Sequence, residues 1–255
     1  MKKIISVILI TILLTVTAFA LAACGGGINS DQDWYNALEE YKTTDAITLT
    51  INDDVRVGLL QNHVKSKRTI TFDAVAGTAS VITSITQNDW SGINWSFGWT
   101  HEYYYVLDGT NVIQYYRYVT EYSDDWEHRK THEFDTAELA LEYMRDLYLN
   151  PCDTDEVEFP SFLELSYYDS NMKSTGNPRE TKVNQFKNKF TQIFVDDEKD
   201  IKRTFELSFS NGKLSKYYFK YYGGALSNKR KTTIKIKYWS RLTLPDNLPA
   251  EDFHK

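Results

Sequence analysis

His128 and His132 stand four residues apart, each beside a glutamate. On a helix that spacing puts two imidazoles on one face and offers half of a zinc site. Here the residues alternate instead, so that Trp126, His128, Lys130, His132 and Phe134 read as one face of a β-strand. At about 3.3 Å per residue the two rings then lie roughly 13 Å apart, too far to share a metal. The acidic pairs Asp53-Asp54, Asp124-Asp125 and Asp196-Asp197, and Asp153 with Asp155, lack the spacing of a calcium loop and read as solvated turns. The sequence contains no G-x-S-x-G, no H-E-x-x-H, no P-loop and no G-x-G-x-x-G after a strand. Nothing singles out a carboxylate pair for glycoside hydrolysis. Cys152, beside Pro151 at a helix end, reads as a half-buried structural thiol rather than a nucleophile. A non-enzymatic protein with no metal, nucleotide or other cofactor is expected.

The richest candidate for binding is the stretch WSFGWTHEYYYVLDG, Trp95 to Gly109. Counting by twos, Trp95, Phe97, Trp99, His101, Tyr103, Tyr105 and Leu107 share one strand face. Ser96, Gly98, Thr100, Glu102, Tyr104 and Val106 share the other. The ring-bearing face is expected to point inward, with Trp95, Phe97, Trp99, Tyr103 and Tyr105 as candidate ligand contacts. Asp108-Gly109 signals a hairpin into a return strand, Val112 to Thr120. A two-residue turn brings Val112, Gln114, Tyr116 and Tyr118 onto the ring-rich face, and a three-residue turn brings Ile113, Tyr115, Arg117 and Val119. His101, if buried, needs a partner such as a tyrosine hydroxyl.

The elements that position this stretch are legible from periodicity. Trp34, Ala37, Leu38 and Tyr41 make one helical stripe, with Asp31 or Asp33 available as a cap. Period-two alternation follows through Ile47–Ile51, Ile70–Phe72 and Val81–Ile85. After a strand from Trp126 to Phe134, Asp135-Thr136-Ala137-Glu138 has the spacing of a capping box. Leu139, Tyr143 and Leu147 then form a helical stripe, with Ala140 and Met144 beside it, ended by Asn150-Pro151. Strands are expected again at Phe162–Tyr168, Phe190–Val195, Lys202–Phe209, Leu214–Tyr222 and Thr232–Trp239. Asn211-Gly212 marks a tight hairpin, and Ser170 to Pro178 reads as a mobile loop. With 15% aromatic residues, 18 of them Tyr, and only 5 Pro, a mostly antiparallel β protein is expected.

Lys2 and Lys3 precede an uncharged apolar run, Ile4 to Phe19, followed by Leu21-Ala22-Ala23-Cys24 and three glycines. This is the plan of an export signal, with an uncleaved membrane-spanning anchor as the alternative reading of the apolar run. The Leu-Ala-Ala-Cys stretch resembles the lipobox of bacterial lipoproteins. That resemblance implies cleavage before Cys24, acylation of its thiol, and a body anchored to the outer face of the cell membrane. The division is then signal peptide 1–23, lipidated Cys24 with a flexible linker to residue 31, and one exported β-rich domain, 32–255. If Cys24 is acylated, Cys152 has no intramolecular disulfide partner. The net charge of −6, or −8 once Lys2 and Lys3 are removed, argues against nucleic acid as a partner. The run Lys229-Arg230-Lys231 with Lys235 and Lys237 reads as the wet face of a strand, with an anionic ligand as the alternative.

The order of helix, long meander, helix and second meander, with the "AITLTI" strand after the first helix and the closing "YWSRLTLP", resembles the LolA/LppX-like lipoprotein-carrier superfamily. That resemblance implies a curved antiparallel sheet or half-barrel, with two short helices packed against it around an apolar cavity. It transfers no ligand residue. Three functions follow as expectations. The first is a carrier of a lipid or other apolar ligand. The second is a carbohydrate-binding module using exposed Trp and Tyr, and the third is a structural or interaction lipoprotein without a small ligand.

Overall fold

Alternating side chains build almost the whole molecule. A computed structural model describes residues 28, 31–57, 62–88, 96–151, 178–184, 188–196, 201–223 and 228–255. The expected strand at 162–168, nearly all of the 170–178 loop, Cys24, Trp95 and Cys152 lie outside the described residues.

The chain opens with α1 (Asp31–Thr43) and then runs through β1 (Ala46–Val57), β2 (Asn62–Asp73), β3 (Thr78–Asn88), β4 (Ser96–Asp108), β5 (Asn111–Val119) and β6 (Trp126–Glu133). Helix α2 (Ala137–Leu149) precedes β7 (Pro178–Asn184), β8 (Lys189–Asp196), β9 (Ile201–Ser210), β10 (Lys213–Gly223) and β11 (Asn228–Tyr238), and the two-residue β12 is Phe253–His254. All strands join one open, curved antiparallel sheet in the order β12-β6-β5-β4-β3-β2-β1-β11-β10-β9-β8-β7. Each meander is local. The two are fused by β1 against β11, with Ile47 opposite Tyr238 and Ile51 opposite Ile234.

Both helices pack on one face of this sheet. Ile47, Leu49, Ile51, Ile70, Phe72, Phe205, Leu207, Phe219 and Ile234 are buried there beneath Leu38 and Tyr41 of α1 and Met144 and Tyr148 of α2. Each fully buried aliphatic or Phe side chain contributes about 1.5–3 kcal/mol. Ile28, inside the stretch expected as a linker, is buried in the same core. The N-cap of α2 is Thr136, whose Oγ1 accepts from the Leu139 backbone N–H at 3.2 Å. Its buried stripe is Ala140, Met144 and Tyr148, one position along from the expected Leu139, Tyr143 and Leu147. Leu139 is 45% exposed, because the stripe is set by Tyr148 plugging the gap below α1.

Two hairpins confirm their turn chemistry. Asn211 and Gly212 both have positive φ, 52° and 74°, as a type I′ turn requires. Asp108 pairs with Asn111, leaving a two-residue turn at Gly109-Thr110, with Gly109 at φ 64°.

A second, smaller core lies on the sheet's other face. Tyr104, Ile113, Tyr115 and Trp126 pack there with Leu244, Leu248 and Phe253 of the C-terminal segment. Trp126 therefore does not share a face with His128 and His132. A bulge between Tyr116 and Arg117 places Trp126 opposite Arg117 and His128 opposite Tyr116, which reverses the parity. A second bulge between Leu214 and Lys216 keeps both Leu214 and Tyr217 in the main core.

Candidate functional site

The two-residue turn after β4 decides which rings meet. It puts Leu107 opposite Val112, Tyr105 opposite Gln114, Tyr103 opposite Tyr116 and His101 opposite Tyr118, on the face that carries the helices. The inward reading of this face holds for Tyr105, which is 6% exposed and meets Tyr143 of α2 edge-on at 6.3 Å. Farther from α2, cover is lost by degrees. Tyr103, His101 and Trp99 are each only half-buried. Trp99 pairs with Ile85 across β3, and Phe97 lies on β4 opposite Gln87. Trp95 and the Phe97 side chain are outside the described residues.

Rings continue across the strands rather than only along β4. Tyr103 stacks on Tyr116 with centroids 4.6 Å apart. Tyr116 meets His128 of β6 at 5.0 Å, and His128 stacks on His254 of β12 at 5.9 Å and 4°. His101 joins from the side. Its Nδ1 lies 2.9 Å from the Tyr116 hydroxyl, and its ring is 5.1 Å from Tyr118. The partner expected for a partly buried His101 is thus a tyrosine, and the result is a half-buried aromatic row across β4, β5 and β6 that ends on the exposed His254 of β12. Tyr116 and Tyr118 were signalled by the two-residue turn. His128 stood out only for its metal-like spacing, and His254 gave no signal. His132 turns to Gln114, 2.8 Å away, and to the Tyr143 ring. Among the described residues, no three of His, Cys, Asp and Glu gather closely enough to hold a metal ion.

Burial favours the neutral form of several of these side chains. It raises the phenols of Tyr103, Tyr105 and Tyr116 above the ordinary value of 10.0, and lowers His101 and His132 below 6.5. His128 is lowered as well, by burial first and then by His254 and Lys130. Because the folded state disfavours the imidazolium, these groups add nothing against folding above pH 6.5 and destabilise the fold as pH falls below it. The expected result is an NMR titration of His101 with its midpoint under 6.5, together with a melting temperature that declines on acidification from that point. A His101 midpoint at or above 6.5 contradicts this.

The apolar band of the same face stops at a charged pair. One residue pair beyond Ile51, Asp53 accepts from Arg230 Nε (3.1 Å) and Nη2 (2.7 Å) and from Thr232 Oγ1 (2.7 Å). Both charged side chains are nearly covered, at 13% and 12% exposure. Arg68 donates to Thr83 Oγ1 and to the Pro151 carbonyl. Asp53→Asn keeps the shape but weakens three charge-assisted bonds, and is expected to cost about 1–3 kcal/mol in urea unfolding. An unchanged midpoint would show that the pair is solvated in solution. The face thus carries rings across β4, β5 and β6 and a fixed ion pair between β1 and β11. Scanning the chain against models of protein families and against curated proteins finds no match to either.

Proposed function

We propose that this chain is a non-enzymatic, membrane-anchored lipoprotein of the cell envelope that holds a lipid or other apolar molecule on the inner face of its half-barrel-like sheet. The observation that carries this reading is the row of Tyr103, Tyr116, His101, Tyr118 and His128, which is half-buried beside a fully packed core. A protein needing only stability gains more by burying such rings completely. The Asp53–Arg230 pair at the edge of the apolar band supplies a polar end for an amphipathic ligand.

The anchor reading rests on Leu21-Ala22-Ala23-Cys24 after the apolar run. Ile28 is buried in the core, so only three glycines, four Cα–Cα steps, separate the acylated Cys24 from the packed body, a reach of about 14 Å. The sheet is then held close to the bilayer, where an apolar ligand is available. Cys24→Ser is expected to abolish incorporation of labelled fatty acid and to shift the protein out of the membrane fraction. A variant that is still labelled and still sediments with membrane would overturn the assignment.

For the ligand, native mass spectrometry of the full chain released from mild detergent is expected to show a co-purified lipid-sized adduct, lost in Tyr103→Ala/Tyr116→Ala. The half-exposed stacked rings also favour a second reading, in which sugars stack on them. Binding of envelope glycans by the same row, with no apolar adduct, would select that reading.

A further inference from the structure

The opposite face of the sheet carries a separate constellation, independent of the aromatic row. The register puts Lys231 of β11, Asp54 of β1 and Lys65 of β2 in one cross-strand line, and Thr233, Asn52 and Lys67 in the next. Lys235 stands opposite Thr50 in the line beyond. β3 adds Thr86 beside Lys65 and Ser84 beside Lys67, and β10 adds Lys220 beside Lys231 and Lys216 beside Lys235. Between these side chains lies a groove of about 500 Å³. Its lining consists of Asn, Asp, Lys, Ser and Thr only, with no apolar side chain.

The carboxylates at this groove are already engaged. The Asp53 carboxylate turns to the other face, to Arg230 and Thr232, and Asp54 is held by His63 at 2.9 Å and by Arg56 at 3.5 Å. Among the described residues, no carboxylate forms an ion pair with Lys65, Lys67, Lys231 or Lys235. Like charges clustered without counterions repel one another, yet this chain has an acidic excess of six from which partners could have been drawn. Strand geometry sets Lys65 and Lys67 about 7 Å apart and Lys231 about 10 Å from Lys65, which fits a series of anionic groups better than one. The hydroxyls of Ser84, Thr86 and Thr233 and the Asn52 amide complement phosphate oxygens between the ammonium groups.

We propose that this groove binds a soluble, linear, phosphate-bearing polyanion. The occupant is a free chain rather than a bilayer, because surfaces that seat on lipid combine cations with Trp, Phe or Leu for insertion, and this lining has none. It is not a nucleic acid, because the chain as a whole is acidic and Tyr218, opposite Thr233 at the groove's rim, already has the Lys216 and Lys231 ammonium groups against its ring.

The test uses the full chain in non-ionic detergent and short linear inorganic polyphosphate as the probe. Saturable binding that weakens steeply with added salt is expected. Lys65→Gln/Lys67→Gln/Lys231→Gln/Lys235→Gln should weaken it at least tenfold and flatten the salt dependence. The control Lys42→Gln/Lys130→Gln/Arg241→Gln/Lys255→Gln removes four positive charges elsewhere and should leave binding within twofold. Circular dichroism checks that both variants are folded. Absence of polyphosphate binding, equal loss in the control, or tighter binding to anionic vesicles or an oligonucleotide than to polyphosphate each overturns the proposal. None of these outcomes bears on the aromatic row, whose ligand is read separately in the Tyr103→Ala/Tyr116→Ala variant.

Discussion

Replacing Tyr148 by Ala is expected to lower the unfolding free energy by about 3–5 kcal/mol, the cost of deleting a large aromatic from a packed core. Tyr148 and Tyr41 are both fully buried and meet edge-on at 5.5 Å, and Tyr148 also lies against Phe72. Their hydroxyls are exchanged between the helices. Tyr41 donates to the Tyr148 carbonyl near the end of α2 at 2.7 Å, and Tyr148 donates to the Lys42 carbonyl at the end of α1 at 3.0 Å. Each phenol thus satisfies a terminal carbonyl that its partner helix leaves unpaired. Tyr148→Phe keeps the ring and removes one donor, so it should cost only about 1–3 kcal/mol. Burial pushes the Tyr148 phenol up to about 12 from 10.0, so this contribution is complete below pH 10 and lost as pH rises toward 12. Urea unfolding of both variants measures the difference. Equal losses in Ala and Phe would mean that the hydroxyl, not the ring, ties the helices together.

Tyr105→Ala and Trp99→Ala should differ although both residues sit on one face of one strand. Tyr105 is closed over by Tyr143, so its removal leaves a cavity that α2 cannot fill, at a cost of about 3–5 kcal/mol. Trp99 and Tyr103 lie beyond that cover, and their wall is already incomplete. Each is expected to lose about 1–2 kcal/mol, in proportion to the smaller area removed from water. Ligand retention should follow the reverse order, with Tyr103→Ala losing the adduct and Tyr105→Ala keeping it while folded. A Trp99→Ala loss as large as that of Tyr105→Ala would place the whole row in filled core. That outcome would remove the physical basis of the binding proposal.

The local content of this fold was legible before any coordinates. Strand alternation assigns a side chain to one of two faces over a few residues, and it correctly grouped Trp99, His101, Tyr103 and Tyr105. Turn chemistry did the same for Asn211-Gly212, because positive φ at two successive residues admits few side chains. The helix start is legible to within one residue, since the capping-box spacing of Asp135 and Glu138 points to Asp135 while Thr136 makes the cap and accepts from the Leu139 N–H. β7, Pro178–Asn184, escaped notice, since PRETKVN is polar on both faces and its strand conformation comes from pairing with β8. Trp126 lies on the face opposite to the one its alternation predicts, because a bulge at Glu127 adds one residue to β6 and reverses the parity of the side chains on either side of it.

What the sequence by itself determined, then, is the set of strands, hairpins and helix stripes whose forces act within about ten residues of chain. Only the tertiary structure decided that β1 closes against β11 and that the C-terminal leucines cover a second core. It alone decided that Tyr143 closes over Tyr105 while Tyr103 and His101 stay half-buried, and that lysines from β2 and β11 face one groove. Those contacts join segments distant in the chain, 177 residues for Asp53 and Arg230. Their pairing is chosen by burial and charge summed over the whole sheet, a quantity that no short window of sequence contains.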